Sequence, residues 1–556
     1  MTLRRLVLAL AAGLALADAA VVTLALPELL TALDTSVEGV AAVVGIYTVV
    51  LALALLPAER LMRSVGPRAV GAAGFALLAA GSVGCGVASS LEALLAFRGL
   101  QALGGAAGLL AAYALLIGPA PASDAPRAEA PSARTLWLGV AVLSTAIGPA
   151  LGGAVTQVFS WEAIFLMQAP VAVWAAVACW GANEPRPAPA QPAARRSWTA
   201  ALALALVSAA LTAVLFLLVL LLVAGWGVTP LEAAAAVTVL PLAALAGARI
   251  GGPAQVRAAA GCALVGGGTI ALAALPDAAL VWTLAPQALA GLGMGLALPA
   301  LGGELLPERD AHDAAWLLTA RHAGIAAALV LLAPITADRL DDATQRARER
   351  GVALVLDARL PPTDKLELAP GLLAGVDAEQ PRAGLQDALG AERDRYAPGS
   401  AERATFDGLA TRADDTLVAA VGESFRAAFL ITGGLALLGA ALLAPGALRR
   451  PAWALAAVAA GGLVVAGTAA ARARVAPDPV AIRDPCAARP LPGGAGLEGF
   501  LQDRALELLD RSACRVGASR EEYVLALANP DDARAFARRY GIDPRSTGGI
   551  LDALLG

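Results

Sequence analysis

The chain has 556 residues, of which 58% are hydrophobic and only 15% are charged, with a formal net charge of −4. Soluble domains carry nearer a quarter charged residues, so this composition excludes a water-facing fold over most of the length. A basic stripe and zinc-like Cys/His spacing are both missing, which leaves nucleic-acid binding without support.

Apolar runs of about 20 residues, each long enough to cross a ~30 Å hydrocarbon layer, recur along the chain. They are predicted at 5–30, 39–58, 68–89, 91–117, 135–157 and 162–182, then at 199–224, 229–249, 256–275, 278–303 and 312–336. A Pro/Ala/Arg linker at 184–198 separates the two sets, and a polar insertion at 337–424 precedes further spans at 425–446 and 450–470. The fold class expected is an all-α polytopic membrane protein. A six-helix bundle over 1–183 is followed by a second over 199–446, then an extra, thirteenth helix and a small helical domain over 472–556. The start, Met1-Thr2-Leu3-Arg4-Arg5, has the charge pattern of a signal peptide. The apolar pattern continues to Pro27, however, and a retained first span is expected.

Arginine placement sets the orientation. Arg4, Arg5, Arg60, Arg63, Arg68, Arg195, Arg196 and Arg249 fall on one side of this count, while the loops at 31–38, 158–161 and 225–228 carry none. The arginine side is read as cytoplasmic, with the chain in the plasma membrane. An odd number of crossings then places the insertion and the C-terminal domain outside. Trp180 and Trp198 near the inner face, and Trp161 and Trp226 near the outer, read as interfacial anchors.

Within the tail, Ser519 and Glu522 have capping-box spacing for a helix through Ala528, and 531–540 and 546–555 read as further short helices. Cys486 and Cys514 are the only cysteines in hydrophilic segments. An extracytoplasmic tail favours a disulfide between them, and a reducing compartment would leave two thiols.

Few polar residues interrupt the spans. Asp18, in Leu16-Ala17-Asp18-Ala19-Ala20-Val21-Val22-Thr23-Leu24-Ala25-Leu26-Pro27, lies ~20 Å along its helix from residue 5, near mid-membrane. A carboxylate at that depth has to be protonated, paired or reached by water. Arg98 opens Arg98-Gly99-Leu100-Gln101-Ala102-Leu103-Gly104-Gly105-Ala106 and could reach Asp18 or helix carbonyls. The fifth span carries Gly148-Pro149-Ala150-Leu151-Gly152-Gly153, in which the proline removes a backbone donor and the glycines admit a neighbouring helix.

These three strings resemble the first-, fourth- and fifth-helix signatures of the major facilitator superfamily, in its multidrug-export branch. The resemblance implies two pseudo-symmetric bundles that rock about a central substrate site, driven by proton entry. It implies proton coupling by Asp18 and Arg98, and helix packing by Gly148, Pro149, Gly152 and Gly153 of the kind associated with antiporters. In the second half, Gly291–Gly295 with Pro299 fits the family's glycine-rich tenth helix. Arg321-His322-Ala323-Gly324 resembles the Arg-x-x-Gly run that opens its eleventh, with His322 read near the cytoplasmic end. The loop after the second span departs from the pattern: Glu59-Arg60-Leu61-Met62-Arg63-Ser64-Val65-Gly66-Pro67-Arg68 retains Gly66 and Arg68 but puts Arg63 where the gating aspartate belongs. Gating is therefore altered or uses another pair, such as Glu59 with Arg63.

A nucleophile elbow, a Walker loop and a metal cluster are absent from the sequence, so neither an enzyme nor an ATP-driven pump is expected. No cofactor is called for beyond the proton gradient. Gln101 and Gln287 are the polar residues expected in a mostly apolar substrate cavity, suited to small amphipathic or lipophilic compounds. The partners expected are that small-molecule substrate, membrane lipids and a protein meeting the outer domain. An exporter of a lipid or cell-envelope precursor, and a non-transporting receptor or scaffold, are the alternatives.

Overall fold

The structure, a computed structural model, describes residues 3–117, 148, 151–182, 197–306, 310–358, 360–361, 365, 381–447, 451–477, 480–492 and 496–546. Among the described residues there is no strand, and twelve helices are long and apolar enough to cross a membrane. Ten of them have bounds close to the predicted spans, and Ala311–Asp357 and Ala401–Ala447 each run more than 20 residues into the insertion. The span expected at 135–157 lies mostly outside the described residues, as do Pro149, most of the linker, and the helix expected at 546–555 beyond Ser546. By backbone contacts the chain forms two compact units.

The first unit comprises 1–223, 228–337 and 425–474. Its N-terminal half consists of α1 (Leu3–Thr23), the short α2 (Leu26–Ala32), α3 (Val37–Val65), α4 (Pro67–Gly86), α5 (Leu91–Ile117), α6 (151–158), α7 (Trp161–Leu166) and α8 (Gln168–Trp180). Apolar burial does not drive helix association in lipid, so close backbone approach between small residues takes its place. Gly81 on α4 is one such point: a Cβ there would stand 2.6 Å from the backbone nitrogen of Gln101 on α5. That approach brings Ser82 and Gln101 within reach of each other. Gly66, with φ +95°, ends α3 and reverses the chain into α4, whose first residue is Pro67. A positive φ explains why glycine stands there, and proline suits a first helical position. Arg68 in that first turn donates twice to the carbonyl of Trp180, at 3.2 and 2.6 Å, and Arg4 donates to Gly181 at 2.8 Å.

The second half of this unit holds α9 (Trp198–Leu220), extended by a π-helical turn (Leu221–Gly225), then α10 (Pro230–Val237), α11 (Val239–Gly247), α12 (Ala254–Leu272) and α13 (Val281–Pro299). It continues with the first part of α14 (Ala311–Asp357) and returns in α16 (Ala401–Ala447) and α17 (Pro451–Val475). Leu53, Val173, Trp174, Val177, Leu331 and Leu463 are exposed on these helices, the outward apolar surface that a bilayer would cover. Trp161 and Trp226 do not act as outer anchors: they are only 4% and 3% exposed. Trp161 instead packs edge-on against Phe165, with ring centroids 6.2 Å apart.

The second unit comprises 224–227, 338–424 and 475–556, so the insertion and the tail build one body. It contains the later part of α14, α15 (Pro381–Arg393), the first part of α16, α18 (Gly496–Val516), α19 (Arg520–Ala528) and α20 (Pro530–Tyr540). Where a break was expected at about 337, α14 runs on to Asp357. Leu340, Ala343 and Ala347 continue its buried face at helical spacing, and no glycine intervenes before Gly351. Long-range ion pairs join the two stretches. Arg348 meets Asp532 at 2.7 Å, and Arg520, 1% exposed, meets Asp357 at 2.7 Å. Ser519 and Glu522 form the reciprocal cap of α19, and Cys486 is disulfide-bonded to Cys514 with Cα atoms 5.0 Å apart. Tyr523, Ala526 and Phe536 form the small core beside them.

Candidate functional site

The N-terminal half of the first unit encloses a polar network built around one ion pair. Asp18 on α1 and Arg98 on α5 are both fully buried. Arg98 Nη2 lies 2.7 Å from Asp18 Oδ2, and its Nη1 donates to Asp18 Oδ1 at 2.9 Å. Five helices supply the rest. The Nε of Arg98 donates to the Val43 carbonyl on α3 at 3.0 Å, and Nη1 also reaches Gln101 Oε1 at 2.6 Å. Gln101 Nε2 donates to Ser82 Oγ on α4 at 2.9 Å and to Gln168 Oε1 on α8 at 3.2 Å. Gln168 Nε2 closes the ring by donating to Asp18 Oδ1 at 3.1 Å. The guanidinium also stands 4.5 Å from the ring centre of Tyr47 and 5.5 Å from that of Phe165.

A pair of this kind is electrically neutral yet poised. Removing one charge from a buried pair costs ~3–5 kcal/mol when the other is left uncompensated. Here the cation has a carbonyl, an amide oxygen and two aromatic faces besides the carboxylate. Its charge therefore stays solvated if Asp18 takes up a proton, whereas Asp18 has only Arg98 and Gln168 as donors among the described residues.

Next to this network lies a small cavity of about 40 Å³. Both halves of the unit line it. Leu16, Ala19, Thr23, Tyr47 and Thr48 come from the first half, and Ser208, Leu240, Met294, Arg321 and His322 are among those from the second. Tyr47 belongs to both sites: it lines the cavity, covers Arg98, and donates to the Ala15 carbonyl at 3.0 Å.

The other sequence-designated residues fall as follows. Gln101 and Gln287, expected in the cavity, are fully buried elsewhere. Gln101 sits in the ion-pair network, and Gln287 donates to Thr283 on its own helix at 2.9 Å; neither is among the lining residues. Gly152 faces α1 so closely that a Cβ would collide with the Val21 carbonyl oxygen, and one on Gly148 would stand 2.9 Å from the Cβ of Ala20. A Cβ on Gly153 would stand 2.5 Å from the Cβ of Ala234 in the second half. Gly148 and Gly152 thus pack against α1, which carries Asp18, and Gly153 packs against α10. Gly324 makes an equally close approach to the Ala205 carbonyl on α9. Arg321 and His322 lie ten and eleven positions into α14, lining the cavity and not the helix entrance. Glu59, 2% exposed, accepts from Arg63 Nη2 at 2.9 Å and is 3.2 Å from Nδ1 of His312 at the start of α14.

Sequence reasoning did not single out Gln168, Tyr47 or Ser82. Gln168 carried a usable signal, being a polar residue within an apolar span. Tyr47 and Ser82 did not, because an amphipathic ring or a single hydroxyl is common in helix cores.

A model of the Major Facilitator Superfamily matches residues 8–329. Among curated proteins, the multidrug resistance protein Stp of Mycobacterium tuberculosis is 31% identical over 154 residues, 28% of each chain. The tetracenomycin C resistance and export protein of Streptomyces glaucescens is 35% identical over 164 residues, 29% of each chain. The methylenomycin A resistance protein of Streptomyces coelicolor is 29% identical over 165 residues, 29% of this chain and 34% of that one. The matched stretch thus spans about a third or less of each relative. A solved bacterial homologue of the human lysosomal transporter Spinster, inward-facing and occupied, aligns with a TM-score of 0.54 and 15% identity over 80% of this chain and 96% of that one. At such identity the likeness is one of fold. With its family match extending over more than half of its length, the chain belongs to the Major Facilitator Superfamily.

Proposed function

We propose that the chain is a secondary active transporter of the plasma membrane that exports small amphipathic or lipophilic compounds in exchange for protons. The observation that carries this reading is the buried Asp18–Arg98 pair beside a cavity lined by both halves of one unit. Proton entry neutralises Asp18, the pair loses its attraction, and Arg98 is left to Val43, Gln101, Tyr47 and Phe165. The packing of α1 against its neighbours then favours a different tilt of the halves, which exposes the cavity to the other side. Cargo and proton compete through this one pair, so an inward proton gradient drives cargo outward. Arginine placement supports a cytoplasmic N-terminus and an extracytoplasmic second unit, where a disulfide such as Cys486–Cys514 persists. A multidrug resistance protein and a resistance and export protein among its relatives support the substrate class.

The test is substrate-dependent proton movement in everted vesicles carrying the native chain or Asp18→Asn. The native chain is expected to dissipate an imposed pH gradient when cargo is added, and the variant to leave it standing. Equal dissipation by both would overturn the assignment of Asp18.

A further inference from the structure

Arg321 is a cation without a counter-charge. It lines the cavity between the two halves and makes no hydrogen bond or ion pair among the described residues. The network around Asp18 does not supply one, since that carboxylate is taken by Arg98 and Gln168. Among the described residues, no carboxylate lines the cavity. In the same lining, the hydroxyl of Ser208, a residue only 3% exposed, is buried with no partner among the described residues. Thr212, also in the lining, makes no hydrogen bond among the described residues. His322 uses Nδ1 to donate to the Leu318 carbonyl at 2.8 Å. Apart from Thr23, Tyr47 and Thr48, the remaining wall is apolar, with Leu16, Leu211, Leu215, Leu240, Met294 and Ile325.

Buried polar groups are normally satisfied, and an ionisable residue within the membrane normally has a partner. A guanidinium is always charged and presents a planar fork that matches carboxylate, sulfonate or phosphate oxygens. We infer that the cargo of this cavity is an amphipathic anion whose acidic group is held by Arg321 and the Ser208 hydroxyl while its apolar body lies along the leucine and methionine wall. This inference rests on the export reading only in treating the cavity as the cargo site, and it narrows the substrate class. A neutral lipophile leaves the arginine unpaired, and an organic cation is repelled by it.

The test uses the full chain in detergent and three probes with one tail: pyrenebutanoate, pyrenebutanol and pyrenebutylamine. Binding is read by energy transfer from tryptophan to pyrene. The butanoate is expected to bind at least roughly tenfold more tightly than the alcohol, and the amine more weakly than either. Arg321→Gln is expected to bring the butanoate down to the alcohol's affinity while leaving the alcohol unchanged, and Arg321→Lys to keep part of the preference. Equal binding of all three probes, or a preference that survives Arg321→Gln, overturns the inference. If Arg321→Gln does not fold, Ser208→Ala decides: a several-fold loss for the butanoate alone supports the site, and no loss contradicts it. A chain that binds the anion selectively yet moves no cargo in vesicles contradicts the export reading alone. One that moves all three probes alike contradicts the anion assignment alone.

Discussion

Glu59 at the end of α3 and His312 at the start of α14 stand 3.2 Å apart, joining the two halves of the first unit across 253 residues of chain. Glu59 is held at the same time by Arg63 on its own helix. Arg63, which stands where the resemblance implies a gating aspartate, holds the acid one turn earlier that meets His312. Glu59→Gln is expected to weaken this closure by about 1 kcal/mol, roughly a fivefold shift toward the separated state. Spin labels at positions 61 and 311 would report it as a longer, broader distance distribution. An unchanged distribution would assign the contact no part in closure.

Tyr47 separates the ion pair from the cavity, so its substitutions should divide cleanly. Tyr47→Phe loses the bond to the Ala15 carbonyl, keeps the aromatic cover over Arg98, and costs about 1 kcal/mol of stability with coupling intact. Tyr47→Ala opens Arg98 to the cavity and is expected to leak protons without cargo. Decay of a pH gradient in proteoliposomes distinguishes them. Equal decay for both variants would place the barrier elsewhere.

Lys365 is the only lysine of the chain, which makes its titration directly observable. Burial lowers its amine to about 8 although Asp357 is near, and its Nζ donates to the Leu356 carbonyl at 2.8 Å. The folded amine then binds fewer protons than the unfolded one between about 8 and the ordinary 10.5. Stability of the second unit therefore rises with pH through that window and is lowest below it. Carbon-13 methylation of Lys365 followed by NMR titration should give a midpoint near 8. A midpoint near 10.5 would show that the amine is exposed.

Cys486 and Cys514 are 28 residues apart, and closing a loop of that length stabilises by ~3–4 kcal/mol on chain-entropy grounds. Converting both cysteines to alanine is expected to speed proteolysis of the second unit roughly a few hundredfold, without altering cleavage in the first. Equal protection in the variant would mean that ion pairs such as Arg520–Asp357 suffice.

The helices and the central pair were legible for the same reason. In a lipid-facing chain every apolar run of span length has one outcome, and a charge inside such a run needs a partner. Asp18, Arg98 and Gln101 could therefore be named from sequence, although not that Gln101 serves the pair and not the cavity. That depends on the close approach of Gly81 to Gln101, which only packing determines. The union of insertion and tail was not legible, because Arg348 and Asp532 lie 184 residues apart and each reads locally as an ordinary charge on a solvated helix. Deleting residues 472–556 consequently removes partners of the insertion as well, and its effect on transport reports on the whole second unit.

The central claim is that Asp18 exchanges its proton during transport. Infrared difference spectroscopy of the carboxylic C=O stretch, recorded on lowering the pH of the native chain and of Asp18→Asn, tests it most directly. The account predicts a protonated-carboxyl band that cargo diminishes in the native chain and that is missing from the variant. An identical band in both would contradict it.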